Sequence, residues 1–452
     1  MVSGESGPPP DVNADCNRIS GDERHAFAIA TGTVGITPTT CVPLGSYRSL
    51  RKPAFDAVAD ELEANVLVLR AGTGLPTLFV SADLLYVGAY ICDRIFAGLA
   101  DRLPRDRILV AASHTHFAPA TDESLPGLGR VSQEYLEFAA TRILDLATRL
   151  LDARAEPVVC RYHEGTTRHS INRRRTRFGI ARSYPYLGFH TDISPNEHGP
   201  RDDLIRALTL TRPDGRVGAI CWSFACHPNT FPHIDSVSAE YPGRVRELLR
   251  RRFGAVPVLF WQGFSGNINP YRAVQSATTG DDGRSKFVSP TLSQWNVWTD
   301  SLAESVRQVV STPGKPLGGP VTCDMRSMEV RELGLRSEKR LTYRKISFGG
   351  DLALCGLSAE VAVEYVTRLQ ELFPLVKVVP VGCIDEVFGY LPVDEMIDRG
   401  GYEVRGFLRR FGLKGTYRRD LSAIVERRLF AAPDAGRHEP RTAAVRDPGR
   451  LS

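Results

Sequence analysis

Short apolar runs bounded by turn residues alternate with amphipathic stretches along most of this chain, and that alternation is what most restricts its fold. Asn65 to Arg70 and Pro76 to Ser81 read as neighbouring strands joined around Gly72-Thr73-Gly74. Tyr90 to Leu103 then reads as a helix and Arg107 to Ala112 as the next buried strand. Gln133 to Leu151 has the helical period, Gly218 to Cys226 is strand-like, Tyr241 to Phe253 is helical and Val256 to Trp261 is a strand. Asp351 to Gly356, Val361 to Leu372 and Val376 to Gly382 repeat the order strand, helix, strand. There is no internal repeat. Interleaving of this kind predicts one large mixed α/β (α+β) domain, its mixed sheets flanked by helices.

The expected domain spans residues 25–431. Residues 1–24 are rich in Pro, Gly, Ser and Asp, and residues 432–452 are polar and unpatterned, so both are expected to be mobile tails. The polar stretch Gln275 to Ser289 is expected to be a surface loop or lid. With 452 residues, 42% of them hydrophobic, the chain has enough apolar material for a large core.

Lys and Arg total 57 against 52 Asp and Glu, and apart from Arg173-Arg174-Arg175 and a basic C-terminal stretch the charges are interspersed. Nucleic acid is therefore not the expected partner. Nine cysteines without a CxxC pair indicate neither a disulfide framework nor a thiolate zinc knuckle. The N-terminus lacks the basic start and apolar core of a secretory signal, and nothing approaches the roughly 18 apolar residues that span a bilayer. The expectation is a soluble cytoplasmic protein.

Candidate chemistry begins at His114-Thr115-His116, directly after the apolar run Ile108–Ala112. In an extended segment, residues two apart face the same way, so both imidazoles could enter one cavity at a strand end. That suits a metal or an acid/base pair, although hydrogen-bonded structural histidines share the spacing. His227 closes a second apolar run, and Pro228 keeps it extended and ends the strand there, where functional groups of α/β folds collect. The ordinary alternative is a loop histidine satisfied by backbone carbonyls. Cys226 is not its catalytic partner, because adjacent strand residues face opposite ways.

Glu360 sits where a strand is expected to turn into the helix from Val361. A carboxylate beside two imidazoles is a common zinc set, and an acid in a first helical turn is also favoured by the macrodipole. Ser265 does not complete a G-x-S-x-G elbow, since Asn267 stands at its last position, and it reads as a turn residue.

Six segments, in order, resemble the catalytic domain of the neutral (non-lysosomal) ceramidases, zinc amidases that cleave N-acyl sphingosine. Val34-Gly35-Ile36-Thr37-Pro38 with Pro43-Leu44-Gly45-Ser46-Tyr47 is similar to that family's DITP…GY start, and Ser113-His114-Thr115-His116-Phe117-Ala118-Pro119 to its THTHSGP segment. Ser170-Ile171-Asn172-Arg173 resembles its INRS segment, Phe224-Ala225-Cys226-His227-Pro228 its FAxHP strand, and Leu357-Ser358-Ala359-Glu360 its PGE turn. Phe388-Gly389-Tyr390-Leu391-Pro392 followed by Gly401-Tyr402-Glu403 has the spacing of its two-tyrosine segment. The likeness runs from about Ala26 to Ala431.

The resemblance implies a ceramidase-like catalytic fold without the family's C-terminal β-sandwich. It implies Zn2+ held by His114, His227, Glu360 and Tyr390, with zinc-bound hydroxide attacking a linear N-acyl amide. His116 would move protons, Tyr402 would stabilise the oxyanion, and Arg173 and Asn269 would bind substrate. One departure matters. Asn269, in Gly266-Asn267-Ile268-Asn269-Pro270-Tyr271, stands where the family's GDVSPN hexapeptide carries serine, which excludes a serine-acyl mechanism at that position.

With neither a signal nor a second domain in the sequence, the expected substrate is a small soluble N-acyl compound, in specialised metabolite biosynthesis, rather than a membrane ceramide. The same site suits acyl transfer or intramolecular condensation, and a ligand-binding homologue without activity is the non-enzymatic alternative. Assembly as a homo-oligomer is left open.

Overall fold

Burial along the strands alternates between two apolar layers, and this sorts the chain into a stack of helices, sheet, sheet and helix. The computed structural model describes residues 27–46, 54–180, 187–271 and 286–431. The elements that matter below are β1 (Phe27–Gly35), β2 (Glu63–Ala71), β3 (Thr77–Ala82), α1 (Ala89–Gly98), β4 (Ile108–Ala112) and α2 (Gln133–Asp152). They continue with β5 (Glu156–Thr166), β6 (Ser170–Ile180), β7 (Leu187–Asn196), β8 (Leu204–Thr211), β9 (Val217–Phe224), α3 (Glu240–Phe253), β10 (Val258–Gln262) and β11 (Ile268–Pro270). The last are α4 (Leu292–Val310), β12 (Lys315–Pro316), β13 (Val321–Glu329), β14 (Arg340–Phe348), β15 (Leu352–Leu357), α5 (Glu364–Leu372) and β16 (Lys377–Val381).

The central sheet runs β10-β9-β8-β5-β1-β2-β3-β4, with β12 added to β5. Its end pairs, β9 with β10 and β3 with β4, are parallel, and the pairs between them are antiparallel. On β2, Ala64, Val66 and Val68 join the apolar cluster of Ile91 and Ile95 from α1 and Leu136 and Ile143 from α2. Leu67 and Leu69, between them, belong to the opposite cluster with Ile346, Phe348, Leu352 and Leu354 of the second sheet. At the other end Ile220, Trp222 and Phe224 of β9 cluster with Tyr241 and Val245 of α3 and Leu302 and Val306 of α4. Each such side chain contributes roughly 1.5–3 kcal/mol by leaving water.

The second sheet runs β13-β14-β15-β16, and a third runs β11-β6-β7, with β6 and β7 antiparallel. The architecture is the mixed α+β one expected. Helices α2 and α3 match their sequence periods within a residue at each end, and Ser132 caps α2 by accepting from Tyr135 N. One boundary differs in a way that matters: α5 starts at Glu364, and Glu360–Val361 is instead a two-residue strand paired in parallel with Tyr390–Leu391. Glu360 is thus not a first-turn helical acid. Tyr90 to Leu103 is also shorter than expected, because α1 ends at Gly98.

Among the elements not expected from the sequence are β6, whose run of arginines hides its alternation, and α4, which a Thr291–Gln294 capping box starts. Residues 1–24, 432–452 and 275–285 of the expected loop lie outside the described residues, and residues 286–289 are neither helix nor strand. Among the described residues no helix is long and apolar enough to cross a membrane.

Candidate metal centre

Three strand ends deliver the histidines and the carboxylate to one place. Beyond β4, Ser113 N donates to Ala82 O (2.8 Å) and His114 N to Leu84 O (2.9 Å), so the chain stays tied to the strip that leaves β3. The backbone then turns, with His114 at φ +66°. The same-face rule for an extended chain does not apply here. It is the turn that brings the rings together, His114 lying 5.0 Å from His116 and 4.9 Å from His227 between centroids, with His116 and His227 at 5.8 Å. Left-handed backbone at a non-glycine residue costs about 1–3 kcal/mol and persists only where the surroundings enforce it.

Both ligand candidates are held from behind. His114 Nδ1 lies 3.0 Å from Leu85 O and His227 Nδ1 lies 2.9 Å from Ile268 O. A carbonyl only accepts, so Nδ1 carries the hydrogen in each ring and Nε2 keeps its lone pair. Glu360 Oε2 lies 3.0 Å from His227 Nε2 and 3.3 Å from His114 Nε2. Three acceptor atoms converge in a buried space, an arrangement that could hold a metal ion.

Donor spacing fits zinc: bonds of about 2.0–2.1 Å in a tetrahedral site put neighbouring ligand atoms roughly 3.3 Å apart. His114 Nε2 is also buried without a hydrogen bond, as a ligand atom would be. One ring nitrogen from each of His114, His116 and His227 lies within 4.8 Å of the others, so His116 belongs to the same cluster. Tyr390, strand partner of Glu360, places its hydroxyl 3.2 Å from Arg173 Nη2, and the Tyr402 ring lies 5.4 Å from that of Tyr390.

The electrostatics agree with neutral imidazoles at two of the three positions. Burial pushes His116 well below its ordinary value, helped by its histidine neighbours, and burial with the Arg173 charge takes His227 down to about 4. At His114 burial acts the same way but Cys383 and Glu360 outweigh it and hold the ring well above its usual range. Burial pushes Glu360 up, and His114 and His227 outweigh it and hold the carboxyl well below.

Arg173 is fully engaged by the walls. Its Nε donates to Glu403 Oε1 (2.9 Å), Nη1 to Asn269 Oδ1 (3.3 Å) and Nη2 to Gly266 O (2.7 Å) and the Tyr390 hydroxyl, while Nη1 also lies 3.3 Å from His227 Nε2. Asn269 Oδ1 is therefore spent on Arg173, and any contact of Asn269 with substrate falls to Nδ2. All eight residues expected in the site thus form one connected cluster. Two further residues had gone unassigned. Glu403 bridges Arg173 and Arg174, and only its place in Gly401-Tyr402-Glu403 hinted at it. Tyr86 donates its hydroxyl to Glu360 Oε1, and no local pattern marks it.

Ser265 Oγ is hydrogen-bonded with Gln262 Nε2, not with an imidazole, which leaves it without a base. Two cavities, of about 1050 and 740 Å3, are lined by other residues. His114, His227, Glu360 and Tyr390 are each at most 4% exposed, whereas His116 and Tyr402 are half-buried.

No protein-family model matches the chain, and no curated protein matches it in sequence. Solved structures do share its fold. Neutral ceramidase from Pseudomonas aeruginosa superposes with a TM-score of 0.69 at 15% identity, over 90% of this chain and 75% of that one. A ceramidase complexed with C2 superposes with a TM-score of 0.70 at 14% identity, over 90% and 76%. At such identities the likeness is one of fold.

Proposed function

We propose that this protein is a zinc-dependent hydrolase of linear amide bonds, acting on a small soluble N-acyl compound. The observation that carries the reading is the buried triplet His114 Nε2, His227 Nε2 and Glu360 Oε2, whose 3.0 and 3.3 Å spacings suit one tetrahedral ion. The ceramidase fold supports amide cleavage as the reaction, since ceramide is itself an amide. His114, His227 and Glu360 would hold the metal, with Tyr390 as a weaker fourth donor. Eight described cysteines, all free, support a reducing, cytoplasmic setting.

When bound, zinc supplies Lewis acidity and makes water acidic enough to attack near neutral pH. The protein's own groups do the rest. His116, half-buried in the same cluster and held well below its ordinary value by burial, takes the proton of the attacking water and returns it to the leaving nitrogen. Tyr402 and Asn269 Nδ2 donate to the developing oxyanion, and the Arg173 guanidinium adds fixed positive charge beside it. Glu403 and Gly266 O keep that guanidinium in place, so little reorganisation accompanies the reaction.

Metal analysis with two variants tests this. Wild type should bind one zinc and hydrolyse an N-acyl amide, His227→Ala should lose both, and His116→Ala should keep zinc and lose turnover. Wild type that takes up no zinc overturns the proposal. Loss of zinc from His116→Ala moves that residue from proton carrier to ligand.

A further inference from the structure

We infer that Tyr86 is a positioning residue that makes Glu360 present one oxygen, and only one, to the metal; this rests on the zinc reading above. The strip Leu84-Leu85-Tyr86, which leaves β3 next to β4, touches two of the proposed ligands, His114 and Glu360. Leu84 O accepts from His114 N (2.9 Å), Leu85 O accepts from His114 Nδ1 (3.0 Å), and the Tyr86 hydroxyl donates to Glu360 Oε1. The strip itself is pinned, because Thr121 Oγ1 donates to Tyr86 O at 2.6 Å. Tyr86 is 3% exposed, and its ring stands 5.3 Å from the His114 ring and 6.4 Å from Phe411.

The two oxygens of Glu360 therefore have different jobs. Oε2 faces His227 Nε2 and His114 Nε2, while Oε1 is turned to the phenol. A carboxylate with both oxygens free can chelate a metal and occupy two coordination positions, and zinc accepts a fifth ligand readily. With Oε1 held by a phenol, the carboxylate would bind through one oxygen and would leave a position open for water or substrate. Groups that orient metal ligands in this way commonly carry about 10–100-fold in metal affinity or activity.

A buried tyrosine whose hydroxyl merely finds the nearest acceptor would behave differently. Its removal would cost stability without touching the coordination of the metal. Tyr86→Phe keeps the ring packed against His114 and Phe411 and removes only the donor. The full-length protein, stripped of metal and reloaded with Co2+, reports coordination by visible absorption, because four-coordinate cobalt absorbs several-fold more strongly than five- or six-coordinate cobalt.

The expected result is an intense band in wild type that falls at least two-fold in Tyr86→Phe. Turnover should fall about 10–100-fold with KM unchanged. Unchanged absorption and turnover in the variant, with wild type loading cobalt normally, overturn the role of Tyr86 and leave the zinc reading intact. Wild type that takes up neither cobalt nor zinc overturns both. The wild type alone supplies a second readout that does not depend on the variant folding. In the zinc-loaded minus metal-free infrared difference spectrum, carboxylate stretches widely split, as for one-oxygen binding, are expected, and the narrow splitting of a chelating carboxylate overturns the inference.

Discussion

Glu403→Gln removes one negative charge from between two buried guanidiniums. Glu403 Oε1 accepts from Arg173 Nε at 2.9 Å and Oε2 from Arg174 Nη1 at 2.5 Å, and the three side chains are 3, 5 and 7% exposed. Glutamine retains one accepting oxygen and turns an amide NH2 toward the second guanidinium. Breaking a buried pair costs about 3–5 kcal/mol, mostly because the orphaned charge stays dry. Here Arg173 keeps Gly266 O and Asn269 Oδ1, and Arg174 keeps Gly400 O at 2.6 Å, so the loss belongs near 3 kcal/mol, the lower end of that range.

A pH dependence follows with a definite sign. Burial raises the Glu403 carboxyl, but Arg173 and Arg174 outweigh it and hold the folded value below the ordinary 4.5. Its stabilisation is therefore complete above the unfolded value and is lost as pH falls through the folded one. Urea unfolding followed by tryptophan fluorescence, on wild type and variant at several pH values, should show a gap near 3 kcal/mol at neutral pH that narrows on acidification. A gap under about 1 kcal/mol at neutral pH, the size of an exposed pair, or one that does not narrow in acid, would refute the ion-pair reasoning.

Two other perturbations probe the same neighbourhood. At Gly266 an added Cβ would meet Glu360 O at 2.7 Å and Val361 O at 2.9 Å, both backbone atoms that cannot swing aside. Gly266→Ala should cost roughly 1–3 kcal/mol and weaken zinc binding at least ten-fold in a competition titration, while unchanged affinity would show that the Glu360 strand yields freely. Glu240, buried at φ +58° with Thr230 N, Tyr241 N and Trp295 Nε1 donating to its carboxyl, is pushed up to about 7 by burial. Its folded value lies above its unfolded one, so it subtracts stability as pH rises from about 4.5 to 7, by roughly 3 kcal/mol. Glu240→Gln should flatten the melting-temperature profile across that window, and an unaltered slope would place the titration elsewhere.

What the sequence determined by itself was local. The helical periods of Gln133–Asp152 and Glu240–Phe253 and the apolar runs of β4, β9 and β10 were legible because burial on one face writes a repeat into adjacent residues. Seven of the eight expected site residues were legible through likeness to six short segments in a fixed order, and Asn269 through its departure from a further one; the structure brings the eight into one cluster. The arginines of β6 gave no such repeat: one side chain of the run points into the site and the next clamps Glu403.

Only the tertiary structure decided how those residues meet. It placed Glu360 in a strand beside Tyr390 rather than in a helix, and it turned His114 into left-handed backbone so that two rings share a site without an extended chain. It also set Tyr86 against Glu360 across 274 residues and Arg173 against Glu403 across 230. Such contacts follow from the order in which strands join their sheets and from which faces win burial. Both are settled by the packing of the whole chain, and neighbouring residues carry no trace of them.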